Sequence, residues 1–119
     1  MEQKYSITEL AKDYDITSRT IRHYEDIGLL CPTRKGTQRI FNFGDHVRLG
    51  LILRGKRIGF SLTEIKEIIN MYDLPEGEEG QTSFLISKVH ERREMLLTKQ
   101  EDIHKMLSEL DKIERRLNH

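Results

Sequence analysis

Arg19 and Arg22 lie three residues apart in the stretch Thr17 to Leu30, on a short helical pattern with His23 and Tyr24 beside them and Gly28 closing it. Guanidinium groups presented from one helix face can fork onto guanine edges or hold phosphate oxygens. Thr17, Ser18 and Thr20 add hydroxyls at the start of the same segment, where they can cap the helix and reach a phosphate. The residues expected to meet nucleic acid here are therefore Thr17, Ser18, Arg19, Thr20, Arg22, His23 and Tyr24, with Tyr24 facing outward beside the arginines.

Such a helix needs a support. Ser6 followed by Glu9 has the spacing of a capping box, which starts a first helix through Leu10 and Lys12. Leu10, Ile16, Ile21 and Leu29 supply an apolar set that pins the two helices together as a helix-turn-helix, whose second helix can enter a major groove. The next segment, Leu30 to Phe41, has a basic, turn-rich centre between short apolar ends. It suits a β-hairpin wing with Arg34, Lys35 and Gly36 at its tip and Arg39 on the return strand, the basic groups lying over phosphates. A charged turn on its own is more often plain solvated surface; its place directly after a helix-turn-helix favours DNA contact.

Asn42 with Asp45 can open a third helix, in which Val47, Leu49, Leu51, Ile52 and Leu53 form the buried stripe and Gly55 and Gly59 loosen and end it. Ser61 to Glu64 repeats the capping pattern of the first helix and starts a fourth, with Ile65, Ile68, Ile69 and Tyr72 at core spacing. The basic run Arg54 to Arg57 between these helices reads as a second wing, with Lys56 and Arg57 on phosphates. Residues 1–73 thus form a DNA-binding domain, and the acidic, Pro- and Gly-bearing residues 74–81 a linker.

From Thr82 to Leu117 there is neither Gly nor Pro. Ile86, Val89, Leu96, Ile103, Leu107, Leu110 and Leu117 recur in a three-four rhythm, the pattern of a coiled-coil seam over residues 82–119. Arg93, Gln100 and Glu114 stand on the same seam, where polar residues weaken pairing but fix register. A homodimer is expected, in preference to a helix folded back on its own domain. The fold class is mostly α: a winged helix-turn-helix followed by a long dimerisation helix.

Composition agrees with this division. The 119 residues have zero formal net charge. Residues 1–60 carry eleven Lys/Arg against seven Asp/Glu, and residues 61–119 carry nine against thirteen. A +4 half suits phosphates, while the −4 half avoids them. The single cysteine, Cys31, leaves no disulfide framework or multi-thiolate metal site and is expected as a buried or half-buried filler. His90 and His104 are expected to be solvated; pairing across a dimer as metal ligands is the lesser reading. No cofactor, metal site or membrane span is expected, and the cytoplasm is the expected location. Neither a glycine-rich phosphate loop nor a catalytic triad pattern argues for an enzyme. An architectural or excisionase-like DNA bender is the alternative, and it has less need of a long dimerisation helix.

The words Thr20-Ile21-Arg22-His23-Tyr24-Glu25, Gly28-Leu29-Leu30, Pro32-Thr33-Arg34, Gln38-Arg39-Ile40-Phe41 and Arg57-Ile58-Gly59-Phe60-Ser61-Leu62, in this order, resemble the MerR family of bacterial transcription regulators. The resemblance covers nearly the whole chain. It implies an antiparallel homodimer on a near-palindromic promoter operator, which lies between promoter elements set too far apart. It also implies a small-molecule effector that makes the dimer twist the DNA so that RNA polymerase can engage. Phe41 stands where the family usually has a tyrosine, so a hydroxyl contact to phosphate is lost there. Thiolate metal sensors of the family carry cysteines near the end of the dimerisation helix, and this chain has none there. The run Leu51 to Leu62 and Met71-Tyr72-Asp73 are similar to the branch controlling leucine, branched-chain and fatty acyl catabolism, which implies an acyl or acyl-CoA-related effector.

Overall fold

Hydrogen-bonding side chains at helix starts and left-handed residues at helix ends punctuate the amino-terminal half. The computed structural model describes residues 3–72 and 78–118. The elements in order are β1 (Lys4–Tyr5), α1 (Ile7–Tyr14), α2 (Ser18–Asp26), β2 (Thr33–Lys35), β3 (Gln38–Asn42), α3 (Phe43–Arg57), α4 (Leu62–Tyr72) and α5 (Glu78–Leu117). They divide into two units, Met1–Pro75 and Glu76–His119.

Three capping boxes start helices in the first unit. Ser6 accepts from the Glu9 amide while Glu9 accepts from the Ser6 amide, and Asn42 with Asp45 and Ser61 with Glu64 do the same for α3 and α4. Each pair satisfies amide donors that the helix itself leaves without partners. At the other ends the chain turns left-handed. Gly28 has φ +83°, and the Leu29 amide reaches back to the Tyr24 carbonyl at 2.8 Å. Gly59, at φ +95°, lets the Phe60 amide reach the Gly55 carbonyl at 2.9 Å. Asp15, at φ 54°, does the same for α1 without being glycine.

The core of this unit is one cluster drawn from its four helices, β3 and the turns between them. Leu10 and Ala11 of α1, Ile21 and Tyr24 of α2, Leu29, Leu30 and Phe41, Leu49 and Ile52 of α3, and Phe60, Ile65 and Ile69 are buried. Phe41 is wholly enclosed, a core side chain. Ile16, expected in the helix-turn-helix core, is only half-buried.

The third helix departs from expectation in two ways. Val47 and Leu51, read as core, are exposed, because the buried stripe of α3 runs through Asp45, Leu49, Ile52 and Gly55. Gly55 does not loosen the helix. It lets α3 pack closely on α4: a Cβ there would meet Ile65 Cγ1 at 2.9 Å. The helix continues to Arg57, so Arg54 to Arg57 form its last turn and not a second wing.

β3 is the central strand of a three-stranded antiparallel sheet, ordered β1-β3-β2. The hairpin has Arg34 opposite Arg39 and Lys35 opposite Gln38, so its tip is Gly36-Thr37, one residue beyond the expected one. Gly36 alone of the two has a positive φ, +65°, the pattern of a type II′ turn. β1, which pairs Lys4 with Asn42 and Tyr5 with Phe41, has no counterpart in the sequence reading.

In the second unit, α5 runs 40 residues, about 60 Å at 1.5 Å per residue. It starts at Glu78, four residues earlier than Thr82, and takes in part of the expected linker. The remainder of the expected break, Asp73 to Gly77, lies outside the described residues, as does Asp73 of the acyl-branch motif. Ile86, Leu96, Ile103, Leu107, Leu110 and Leu117 are exposed on α5, and Val89 is half-buried.

Candidate nucleic-acid interface

The face that α2 offers to solvent is set by which of its residues the core takes. Ile21 and Tyr24 point inward; Arg19, Arg22 and His23 are exposed. Residues at i, i+3 and i+4 share a helix face, so these three form one cationic and hydrogen-bonding strip. Thr17 caps the helix, its Oγ1 accepting from the Thr20 amide at 3.1 Å and lying 2.9 Å from the Thr20 hydroxyl. Ser18 and Thr20 are half-buried beside that strip. Tyr24 corrects the sequence reading: only 5% exposed, it is a core residue whose burial pushes its phenol up from the ordinary value. An outward tyrosine at this position would leave a hole under the helix.

The sequence reading did not assign a role to Glu25. Its carboxylate accepts from Arg39 Nε at 2.5 Å and from Arg34 Nη2 at 2.9 Å. One carboxylate on α2 thus holds both strands of the hairpin. The two arginines share it unequally: the Arg39 side chain is 23% exposed and that of Arg34 54%. Arg39 serves the fold first, while Arg34 uses one of its five N–H donors here and faces outward with the rest. A signal was present in the sequence, an acid on the last turn of the arginine-bearing helix before a basic hairpin, but pairing across nine and fourteen residues has no helical or strand periodicity to reveal it.

Burial pushes the Glu25 carboxyl upward, but hydrogen bonds from Arg39 and Arg34 and their two positive charges outweigh it and hold it below the usual 4.5. A carboxyl depressed on folding stabilises the folded state fully above its unfolded value, and this contribution is lost as pH falls through the folded one. Carboxyl NMR titration of Glu25 should therefore give a midpoint below 4.5, and Arg39→Gln should raise it. A wild-type midpoint at or above 4.5 would contradict the clamp.

The carboxy-terminal end of α2 is held by α4 as well. Lys66 Nζ of α4 donates to the Ile27 carbonyl at 3.1 Å, putting a positive charge at the negative end of the helix. Lys35 is exposed on the hairpin, and Lys56 and Arg57 are exposed on the last turn of α3. The structure brings Glu25, Arg34 and Arg39 into contact with one another. It places Arg19 and Arg22 on the same helix as that clamp, while Lys56 and Arg57 belong to a different element.

Cys31, just before the hairpin, is exposed, contrary to the expected buried filler, because Leu29 and Leu30 already fill the core at that turn. His90 and His104 are both exposed, and fourteen residues of helix separate them by about 21 Å. They cannot share an ion within one chain. Among the described residues no group of three or more His, Cys, Asp or Glu side chains could hold a metal ion.

Two family patterns cover the chain: the MerR HTH family regulatory protein pattern matches residues 5–72, and the MerR DNA-binding pattern matches residues 47–118. This chain belongs to the MerR family. The mercuric resistance operon regulatory protein of Bacillus cereus is 32% identical over 117 residues, which is 96% of this chain and 80% of that protein. A MerR-family transcriptional regulator from Bacillus cereus, solved by crystallography, superposes with a TM-score of 0.77 at 34% identity, over 98% of this chain and 84% of that one. HiNmlR, a MerR-family regulator lacking the sensor domain and crystallised on promoter DNA, matches at a TM-score of 0.58 and 25% identity, over 79% of each chain. The transcriptional activator mta of Bacillus subtilis is 33% identical over 80% of this chain, but the match spans 38% of mta's length. These relatives are transcription regulators, not enzymes.

Proposed function

We propose that this MerR-family chain is a promoter-binding transcription regulator that acts as a homodimer and controls transcription by distorting the DNA between promoter elements. The observation that carries the reading is the exposed Arg19, Arg22 and His23 strip on a capped helix, with a basic hairpin clamped to that helix through Glu25. A helix presented this way enters a major groove while the hairpin lies over the adjoining phosphates. The structural relative on promoter DNA supports this use of the fold. The partners are double-stranded promoter DNA, a second copy of the chain through α5, and RNA polymerase at the same promoter. A site of action in the cytoplasm follows from such a target, and among the described residues no helix is long and apolar enough to cross a membrane.

An effector is part of the reading. The acyl or acyl-CoA-related signal expected from the sequence finds no support in the relatives, whose names speak of mercuric resistance, heavy metals or a multidrug transporter. The architectural DNA bender would share the winged unit and leave the 40-residue α5 with less to do.

Selection of genomic fragments by the purified protein, followed by sequencing, tests the reading and names the neighbouring genes. Enrichment should centre on promoter spacers; enrichment without relation to promoters would favour the architectural alternative. On a recovered fragment, Arg19→Ala and Arg22→Ala should each cost about 1–3 kcal/mol and relax sequence preference, whereas Lys35→Ala should weaken all sequences alike and flatten the salt slope by about one. If neither arginine variant changed affinity or preference, α2 would not be the reading helix.

A further inference from the structure

We propose that Glu25 is a specificity-setting positioning residue: it locks the wing to the reading helix and keeps the two wing arginines from phosphates until helix and wing are seated together. The inference rests on the DNA-binding reading above and goes beyond it.

Three observations carry it. The carboxylate joins α2 to both hairpin strands through Arg34 and Arg39, so helix and wing move as one body. Its side chain is 15% exposed, which places an anion between the two wing arginines at the edge of the surface that presents Arg19 and Arg22. The arginines it holds are also the groups that an oxyanion would seek, since a guanidinium accepts a carboxylate and a phosphate in the same forked geometry.

The consequence differs between the two kinds of DNA binding. Non-specific binding runs on counterion release and gains from every guanidinium free to meet any phosphate. With Glu25 in place, Arg34 must leave or share a carboxylate to make such a contact, and Arg39 is held by its Nε. On a correct site the reading helix and wing arrive in register, and the outward donors of Arg34 meet a phosphate without breaking the clamp. Glu25 therefore penalises wrong sequences more than right ones, the opposite of a group that merely keeps the fold intact.

The test measures a recovered genomic fragment and a scrambled duplex of equal length, each over a range of salt concentrations, with wild type, Glu25→Gln and Glu25→Asp. Glu25→Gln frees up to two guanidiniums. One extra phosphate contact steepens the salt slope by about 0.9 and tightens scrambled-duplex binding about tenfold at 0.1 M salt. The cognate fragment should gain less, so the ratio of the two affinities falls. Glu25→Asp keeps the charge but shortens the reach, and should leave scrambled binding near wild type while still lowering cognate affinity. Loss of affinity for both duplexes by the same factor, at unchanged slope, would make Glu25 a structural residue only and overturn the proposal. So would an unchanged ratio in both variants. Wild type that fails to distinguish the two duplexes would instead remove the DNA-reading function on which the proposal stands. The Arg39 Nε–H resonance, read in the free protein, should exchange slowly in wild type and rapidly in Glu25→Gln. Equal exchange would remove the clamp itself.

Discussion

Leu107→Glu should turn a dimer into a monomer. Ile103, Leu107 and Leu110 follow the four-three spacing of a coiled-coil seam, and in a single chain they stand 52%, 55% and 60% exposed on a 40-residue helix. A lone helix with one narrow apolar stripe leaves that surface in water, whereas pairing removes it on both chains at once. Losing a buried leucine forfeits about 1.5–3 kcal/mol per chain. The carboxylate adds a desolvation penalty of several kcal/mol, and the pair carries the change twice. A loss on the order of 5 kcal/mol or more is over a thousandfold in dissociation constant. Sedimentation equilibrium should show wild type dimeric and Leu107→Glu monomeric at micromolar concentration. Lys105→Gln supplies the control, since Lys105 makes only a loose 3.9 Å pair with Glu101 on the exposed face and should leave the dimer intact. A monomeric wild type, or a dimeric Leu107→Glu, would remove α5 as the dimerisation element.

Local physics explains which parts of the molecule the sequence reveals. Ser6-Glu9, Asn42-Asp45 and Ser61-Glu64 locate helix starts because the partners of each capping box are three residues apart. Gly28 and Gly59 locate ends because a left-handed turn favours glycine. Tyr24 and Val47 defeat the same reading. Each lies on a helix whose inward face is chosen by distant elements: Tyr24 turns inward where α2 meets the core, and Val47 turns outward because α3 packs through Leu49 and Ile52. β1 went unseen since two residues carry no alternation, and its pairing with β3 bridges some 36 positions. Glu25 was missed for the same reason: its partners are set by the hairpin's return, not by spacing within α2. The outward placement of Arg19 and Arg22 depends only on helical period and is legible in the sequence, whereas the carboxylate that pairs with both wing arginines is not.

Shortening the promoter spacer should release transcription from dependence on the protein. In the proposed dimer, two winged units carried on one helix pair would dock in successive major grooves about 34 Å apart, so a change in their mutual angle would appear in the duplex as bend or twist. Smooth deformation of a site this long costs on the order of 1–6 kcal/mol. Coupling between an effector and a distant site supplies about 1–3 kcal/mol, so contacts from Arg19, Arg22 and the wing must provide much of the difference. A protein that works by this route is useful only where polymerase contacts are misaligned to begin with. Removing a couple of base pairs from the spacer aligns them in advance. In run-off transcription, the native template should then depend on the protein and the shortened one should be largely active without it. Residual dependence on the protein, equal on both templates, would exclude DNA distortion and leave direct recruitment of polymerase or simple occlusion. The Glu25 variants sharpen the distinction. A wing freed from the reading helix grips the backbone but transmits less torque, so Glu25→Gln should lower activation from the native template without lowering occupancy of the operator.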